Sequence, residues 1–228
     1  YNGDKEIEDW LNNLDYTKED DDNSRWRPFQ LAFLLLDLRS IVDDKAEDRK
    51  IVDLIWFPTG GGKTEAYLGL TAFTIFYRRL KHLPESGGTV VIMRYTLRLL
   101  ASQQFTRAST LICACEYIRQ DSMKKRSRYK AYSLGKEPIT IGLWIGGAHI
   151  PNKTADAENN LKKLKDVTRG NQVDSAKERY NKFQVLKCPW CGTKMVKDNQ
   201  NGKLVGDWGY NIGKNGRNKG FYMFCTNE

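Results

Sequence analysis

The chain has 228 residues, 40% of them hydrophobic, with six tryptophans and a formal net charge of +9. That length and apolar content suit one sizeable folded core with a small appended module, and they exclude a disordered polymer. No apolar run approaches the roughly 20 residues needed to span a bilayer, so no membrane partner and a cytoplasmic location are expected. The five cysteines then read as thiols or metal ligands rather than disulfides.

Residues 1–24 hold nine acidic and two basic residues, which leaves +16 for the remainder of the chain. They read as an acidic linker or the tail of a preceding domain. Pro28 opens an apolar run that a buried helix would use, since proline suits a first helical turn. A charged connection leads to a first β-rich segment at 51–57. A glycine turn at 58–62 follows, then a helix over 63–81 whose end carries Arg78, Arg79 and Lys81, the charge that suits its negative pole. A second β-rich segment at 89–93 precedes a long helix from about Leu97 to Ile118. After a basic loop around 124–130, a third segment at 139–145 runs into Gly146 and Gly147. Short β-rich runs alternating with helices predict an α/β domain with a mostly parallel sheet over residues 25–150. Residues 151–184 read as a charged helical connector with at best one exposed helix. Residues 185–228 differ in texture, rich in Cys, Gly, Asn and aromatic residues.

The stretch Pro58, Thr59, Gly60, Gly61, Gly62, Lys63, Thr64 is the sequence form of a loop that wraps a polyphosphate. Glycines let backbone N–H groups turn toward phosphate oxygens, and the following helix adds its positive end. Lys63 would reach the β- and γ-phosphates, and the Thr64 hydroxyl would hold Mg²⁺. The strict pattern GxxxxGK[ST] wants glycine where this chain has Phe57. Gln30, some thirty residues upstream, could present its amide to an adenine edge or simply satisfy backbone groups at a helix start. Arg94, Thr96, Arg98 and Gln103 sit where the second strand would end and a helix begin, a position suited to a nucleic-acid backbone. Gly146 and Gly147 would permit close approach of another backbone or form a plain turn.

Cys188 and Cys191, separated by Pro189 and Trp190 and followed by Gly192, form a knuckle that could close on one Zn²⁺. Cys225, next to an aromatic run, is the expected third ligand, and no fourth is evident. The segment therefore reads as an incomplete zinc-ribbon-like insertion. Cys113 and Cys115 lie two apart on a helix and face different directions, so they are packing residues. His82 and His149 have no partners at ligand spacing.

The order of these pieces resembles the N-terminal RecA-like P-loop NTPase domain of a superfamily 2 helicase or translocase. Gln30 matches that family's adenine-reading glutamine, and residues 59–64 match its phosphate loop. Residues 95–103 resemble its Pro-Thr-Arg-Glu-Leu-Ala-x-Gln motif, with Tyr95 in place of the proline. The residues around Trp26–Phe33, Trp56–Gly69 and Met93–Leu100 are more narrowly similar to the helicase-related component of the DISARM anti-phage defence system. The resemblance implies an ATP- and Mg²⁺-dependent motor acting on DNA. Its implied partners are a second RecA-like domain of the same protein and other defence-system subunits. An acidic strand end that would complete hydrolysis is missing, Asp207 being a poor candidate, so the chain alone is expected to hydrolyse little. Three alternatives stay open: a restriction-type ATPase motor, a small-molecule kinase with a P-loop, and a non-catalytic zinc-dependent nucleic-acid-binding module.

Overall fold

The computed structural model describes residues 25–58, 60–81, 86–95, 98–124, 127, 129–145, 150–169, 181–196, 199–200, 203–204, 208–215 and 218–227. Thr59, Thr96, Gly146, Gly147, His82, His149, Asp207 and the acidic lead 1–24 lie outside them. Four helices run through the described residues: α1 (Pro28–Val42), α2 (Lys63–Lys81), α3 (Arg98–Ser122) and α4 (Thr154–Arg169). Two antiparallel strand pairs follow, β1 (Asn199–Gln200) with β2 (Lys203–Leu204) and β3 (Tyr210–Asn215) with β4 (Asn218–Met223). Two compact units share these elements. Of the described residues, one contains those within 25–94 and 111–141, the other those within 95–110 and 142–227.

In the first unit, α1 packs on α2. Pro28 occupies the first helical turn, as its fixed φ and missing N–H favour. Phe33 meets Tyr67 edge-on, with centroids 5.7 Å apart. Gly69 makes room for the Trp26 indole, because an added Cβ there would lie 2.5 Å from the ring. The last carbonyl of α1, on Val42, accepts from the Tyr77 hydroxyl (2.8 Å) and from Lys81 Nζ (3.1 Å). A small core of Ile75, Cys115 and Ile139 joins α2 to the later part of α3, with Phe76, Val90, Leu111 and Ile112 around it.

The segments expected as strands carry no ladder and no regular element among the described residues. Two of them touch the core just named, the second through the partly buried Val90 and the third through Ile139. Trp56 is 88% exposed and Trp144 fully so. The parallel sheet accordingly remains an expectation. The starts of the second and third segments are held by cations. Arg78 donates to the Gly87 and Thr89 carbonyls at 3.0 and 3.2 Å. Arg79, only 6% exposed, donates to the carbonyls of Leu134 (3.2 Å), Glu137 (2.5 Å) and Pro138 (3.1 Å). Arg119, 4% exposed, holds the Gly135 and Lys136 carbonyls at 3.0 and 3.2 Å. It also grips both oxygens of Glu116, at 2.7 and 2.6 Å. Glu116 in turn accepts from the Ile139 backbone N–H at 2.8 Å. Buried guanidinium groups are tolerated here because carbonyls and a carboxylate replace the lost water.

The second unit has its own core. Ala157, Leu161 and Leu164 recur on one face of α4, and they pack with Phe183, Met195, Trp208 and Tyr210. The helix expected as an exposed connector is thus amphipathic, with Leu164 and Thr168 fully buried. In the β3–β4 hairpin Tyr210 pairs with Met223 and Ile212 with Phe221. Tyr210, Ile212 and Phe221 turn to the α4 side, and Phe183 stacks on Phe221 with centroids 4.4 Å apart.

Candidate nucleotide loop and metal centre

The loop ahead of α2 is a glycine structure in the strict sense. Gly60 has φ +82° and Gly62 φ +90°, a region that L side chains avoid. The Gly61 N–H closes a turn on the Pro58 carbonyl at 3.3 Å, and the helix begins at Lys63. Helix α1 holds the loop from below. The Gln30 Nε2 donates to the Gly62 carbonyl (2.7 Å), and its Oε1 accepts from the Arg27 N–H (2.8 Å). Arg27 Nη1 reaches the Gly61 carbonyl at 3.0 Å. Gln30 is 4% exposed, and a Cβ on Gly62 would sit 2.6 Å from its amide nitrogen. Gly62 is therefore required twice, by its dihedral and by its neighbour. Phe29 stacks on Phe57 with centroids 4.0 Å apart, which fixes the approach to the loop.

Lys63 Nζ rests on the carbonyls of Phe57 (2.5 Å) and Pro58 (3.1 Å). An ammonium bound to two neutral carbonyls can exchange them for phosphate oxygens with a gain in charge-assisted bonding. Thr64 follows as the second residue of the helix, half-buried. The predicted loop residues Gln30, Gly60, Gly61, Gly62 and Lys63 are thus brought together. Both ends of the Gln30 amide are engaged by the chain itself, one at the helix start and one on the loop.

The predicted nucleic-acid residues are divided between the two units. Arg94 is exposed and belongs to the first unit, whereas Arg98, which opens α3, and the exposed Gln103 belong to the second. Cys115 lies in the core of the first unit, where burial pushes its thiol up to about 11. It is a packing residue, as its position on the helix suggests.

Cys188, Cys191 and Cys225 converge, with all three Sγ atoms within 4.8 Å of one another. The local chain explains how. Met195 N donates to the Leu186 carbonyl and Cys188 N to the Thr193 carbonyl, folding 186–195 into a tight hairpin. The Gly192 N–H returns to the Cys188 carbonyl at 2.9 Å, with Gly192 at φ +74°. Gly209 then bridges this hairpin to the C-terminal strand, its N–H donating to Met195 O (2.8 Å) and its carbonyl accepting from Phe224 N (3.0 Å). A Cβ on Gly209 would lie 2.6 Å from the Met195 methyl. Cys225 is the next residue, and its sulfur lies 3.3 Å from that of Cys191.

Electrostatically the triad favours a cation. Burial works against the Cys191 thiolate, but the Thr193 hydroxyl and backbone, followed by the thiols of Cys225 and Cys188, outweigh it and hold Cys191 at about 7. The Cys225 thiol is pushed up to about 11, first by loss of hydration at the sulfur and then by the neighbouring thiols, against the Asn227 N–H. Three crowded sulfurs cannot all ionise without a positive charge between them. A Zn–S distance near 2.3 Å sets tetrahedral sulfurs about 3.8 Å apart, within the span observed. The donor set therefore fits zinc, with no fourth Cys, His, Asp or Glu joining the group among the described residues. Sequence spacing pointed to Cys188 and Cys191, and the aromatic run beside Cys225 pointed to the third thiol that the structure brings to them. Gly209, which aligns the two halves, carried no signal beyond being a glycine.

No helix among the described residues is long and apolar enough to cross a membrane. No protein-family profile matches the chain, and neither does any solved structure. Among curated proteins, it is similar to the DISARM protein DrmA of Bacillus paralicheniformis, with 42% identity over 216 residues. The match covers 91% of this chain and 17% of that protein, so the chain spans about a sixth of the length of the curated relative.

Proposed function

We propose that this chain is the nucleotide-gripping part of an ATP-dependent DNA translocase or helicase-type motor working in anti-phage defence. The observation that carries the reading is the pair of left-handed glycines, Gly60 and Gly62, ahead of a helix that starts at Lys63. The similarity to a DISARM protein supplies the defence context. In this reading a triphosphate takes the place of the Phe57 and Pro58 carbonyls around Lys63, and Thr64 holds Mg²⁺. The buried Gln30 amide, bonded to Gly62 and to the Arg27 N–H, holds the shape of the phosphate loop from the start of α1. Zinc on Cys188, Cys191 and Cys225 serves structure, holding the hairpins of the second unit in register. Hydrolysis belongs to the longer protein with its second RecA-like domain and defence partners.

A second reading has its own support. Lys63 and Gln30 are both engaged by loop carbonyls, the state expected if the loop is a structural turn and the chain a zinc-dependent nucleic-acid-binding module. Nucleotide binding separates the two. A fluorescent ATP analogue with Mg²⁺ should bind the wild-type chain and lose at least about tenfold in affinity with Lys63→Ala, the loss of one charge-assisted contact. Equal affinity in both forms would remove the motor reading and leave the module.

A further inference from the structure

The second unit carries surface chemistry that metal binding does not use. Residues 185–228 contain seven Lys and Arg against three Asp and Glu. Lys187 and Lys194 face each other as partners in an antiparallel bridge at the base of the cysteine knuckle, and both are exposed. At the knuckle tip, Trp190 is exposed beside Cys191.

On the outer face of the β3–β4 hairpin, the cross-strand pair Gly213 and Gly220 forms a floor for the Tyr222 ring. A Cβ on Gly220 would lie 3.0 Å from the ring's Cζ, and one on Gly213 would lie 3.6 Å from ring carbons. The glycines let the ring lie against the strands, yet Tyr222 is 39% exposed. A ring backed by glycine and open to solvent is a planar stacking platform. Trp190 adjoins Cys191 and Tyr222 precedes Cys225 by three residues. The 3.3 Å contact between those two sulfurs links the knuckle to the hairpin.

We infer that the knuckle and the outer face of this hairpin bind single-stranded DNA, with Tyr222 and Trp190 stacking on bases and Lys187 and Lys194 holding phosphates. That DNA is the polymer rests on the functional reading above; the surface itself is separate from the phosphate loop. Single strands fit because their bases are free to stack on rings, whereas a duplex hides those faces. An acidic protein would match the lysines but leave the two rings without a role.

The test is fluorescence anisotropy of labelled (dT)20 with the zinc-loaded whole chain over a range of salt. The double variant Lys187→Glu/Lys194→Glu should bind at least about tenfold more weakly. Its salt dependence should be shallower by about 1.4 in log–log slope, since each phosphate contact on a single strand contributes about 0.7. Tyr222→Ala should lose about tenfold, whereas Tyr222→Phe, which keeps the ring, should bind like the parent. Zinc content measured on each variant separates a folded surface variant from an unfolded one. Variants that keep one zinc per chain and bind (dT)20 within twofold of the parent would overturn the inference while leaving DNA binding by the parent intact. A parent that fails to bind (dT)20, or that prefers duplex of equal length, would overturn it too. Neither result bears on the ATP-analogue assay of Lys63.

Discussion

Replacing Arg79 with alanine probes a buried guanidinium network in the first unit. Its three hydrogen bonds end on the carbonyls of Leu134, Glu137 and Pro138, in a side chain 6% exposed. A hydrogen bond to a charged group contributes about 1.5–3 kcal/mol, and an orphaned buried carbonyl costs about 1–3 kcal/mol. The three bonds share one cation that has given up its hydration and is repelled by Arg119, so they cannot add in full. A net loss of about 3 kcal/mol follows. At about 2–4 °C per kcal/mol for a chain of this size, the melting temperature should fall by about 6–12 °C. Thermal and urea unfolding followed by circular dichroism reads this directly. Arg78→Ala is the internal control, since its two bonds to Gly87 and Thr89 are exposed and should be worth less than about 1 kcal/mol. An Arg79→Ala protein within about 0.5 kcal/mol of the parent, or an equal loss on Arg78→Ala, would refute the reasoning.

Three further outcomes follow from the same geometry. Arg119 first, with the Ile139 N–H and Gln120 assisting against burial, holds the Glu116 carboxyl down at about 2. A carboxylate depressed below its ordinary value of 4.5 adds stability above that pH, and this contribution disappears as pH falls toward 2. Glu116→Gln should therefore be less stable near pH 7 and show a flatter acid limb in urea titrations between about pH 5 and 2; a parallel acid limb would count against the pairing. Cys191→Ser should reduce bound zinc, measured by elemental analysis, from about one per chain to well below half, and a chelator should lower the melting temperature of the parent but not of the variant. Gly62→Ala combines the φ of +90° with a Cβ 2.6 Å from Gln30 Nε2. It should weaken ATP-analogue binding at least about tenfold, through strain of about 1–2 kcal/mol plus the displaced amide. Adding Gln30→Ala should relieve the clash without relieving the strain, so unchanged affinity in the single variant would contradict the loop geometry.

What could be read from residue types alone was local. The start of α2 at Lys63 and its end at Lys81 were legible because glycines precede the helix and cations close it. The cysteine cluster was legible because two of its thiols sit at metal spacing and the third lies in a β-rich run. The face of α4 was available as Ala157, Leu161, Leu164 and Thr168, at helical spacing, but the surrounding lysines masked it. The β-rich segments show why apolar content is a weaker guide than periodicity. A strand is defined by a partner's hydrogen bonds, and β-branched residues at 51–57, 89–93 and 139–145 name no partner.

The cations at the end of α2 illustrate what sequence hides. Helix-dipole reasoning accounts for Arg78, Arg79 and Lys81 as a class, yet each does something more specific and non-local. Between them they take the carbonyls of Val42, Gly87, Thr89, Leu134, Glu137 and Pro138. Those carbonyls belong to the end of α1 and to the starts of the second and third β-rich segments. The same helix begins at the glycine loop, where Arg27 and Gln30 of the α1 start hold Gly61 and Gly62. Helix α2 is thus fixed at both ends by hydrogen bonds between segments distant in sequence. On the proposed reading, such an over-determined base would let a triphosphate displace only the local partners of Lys63 and leave the scaffold as it was.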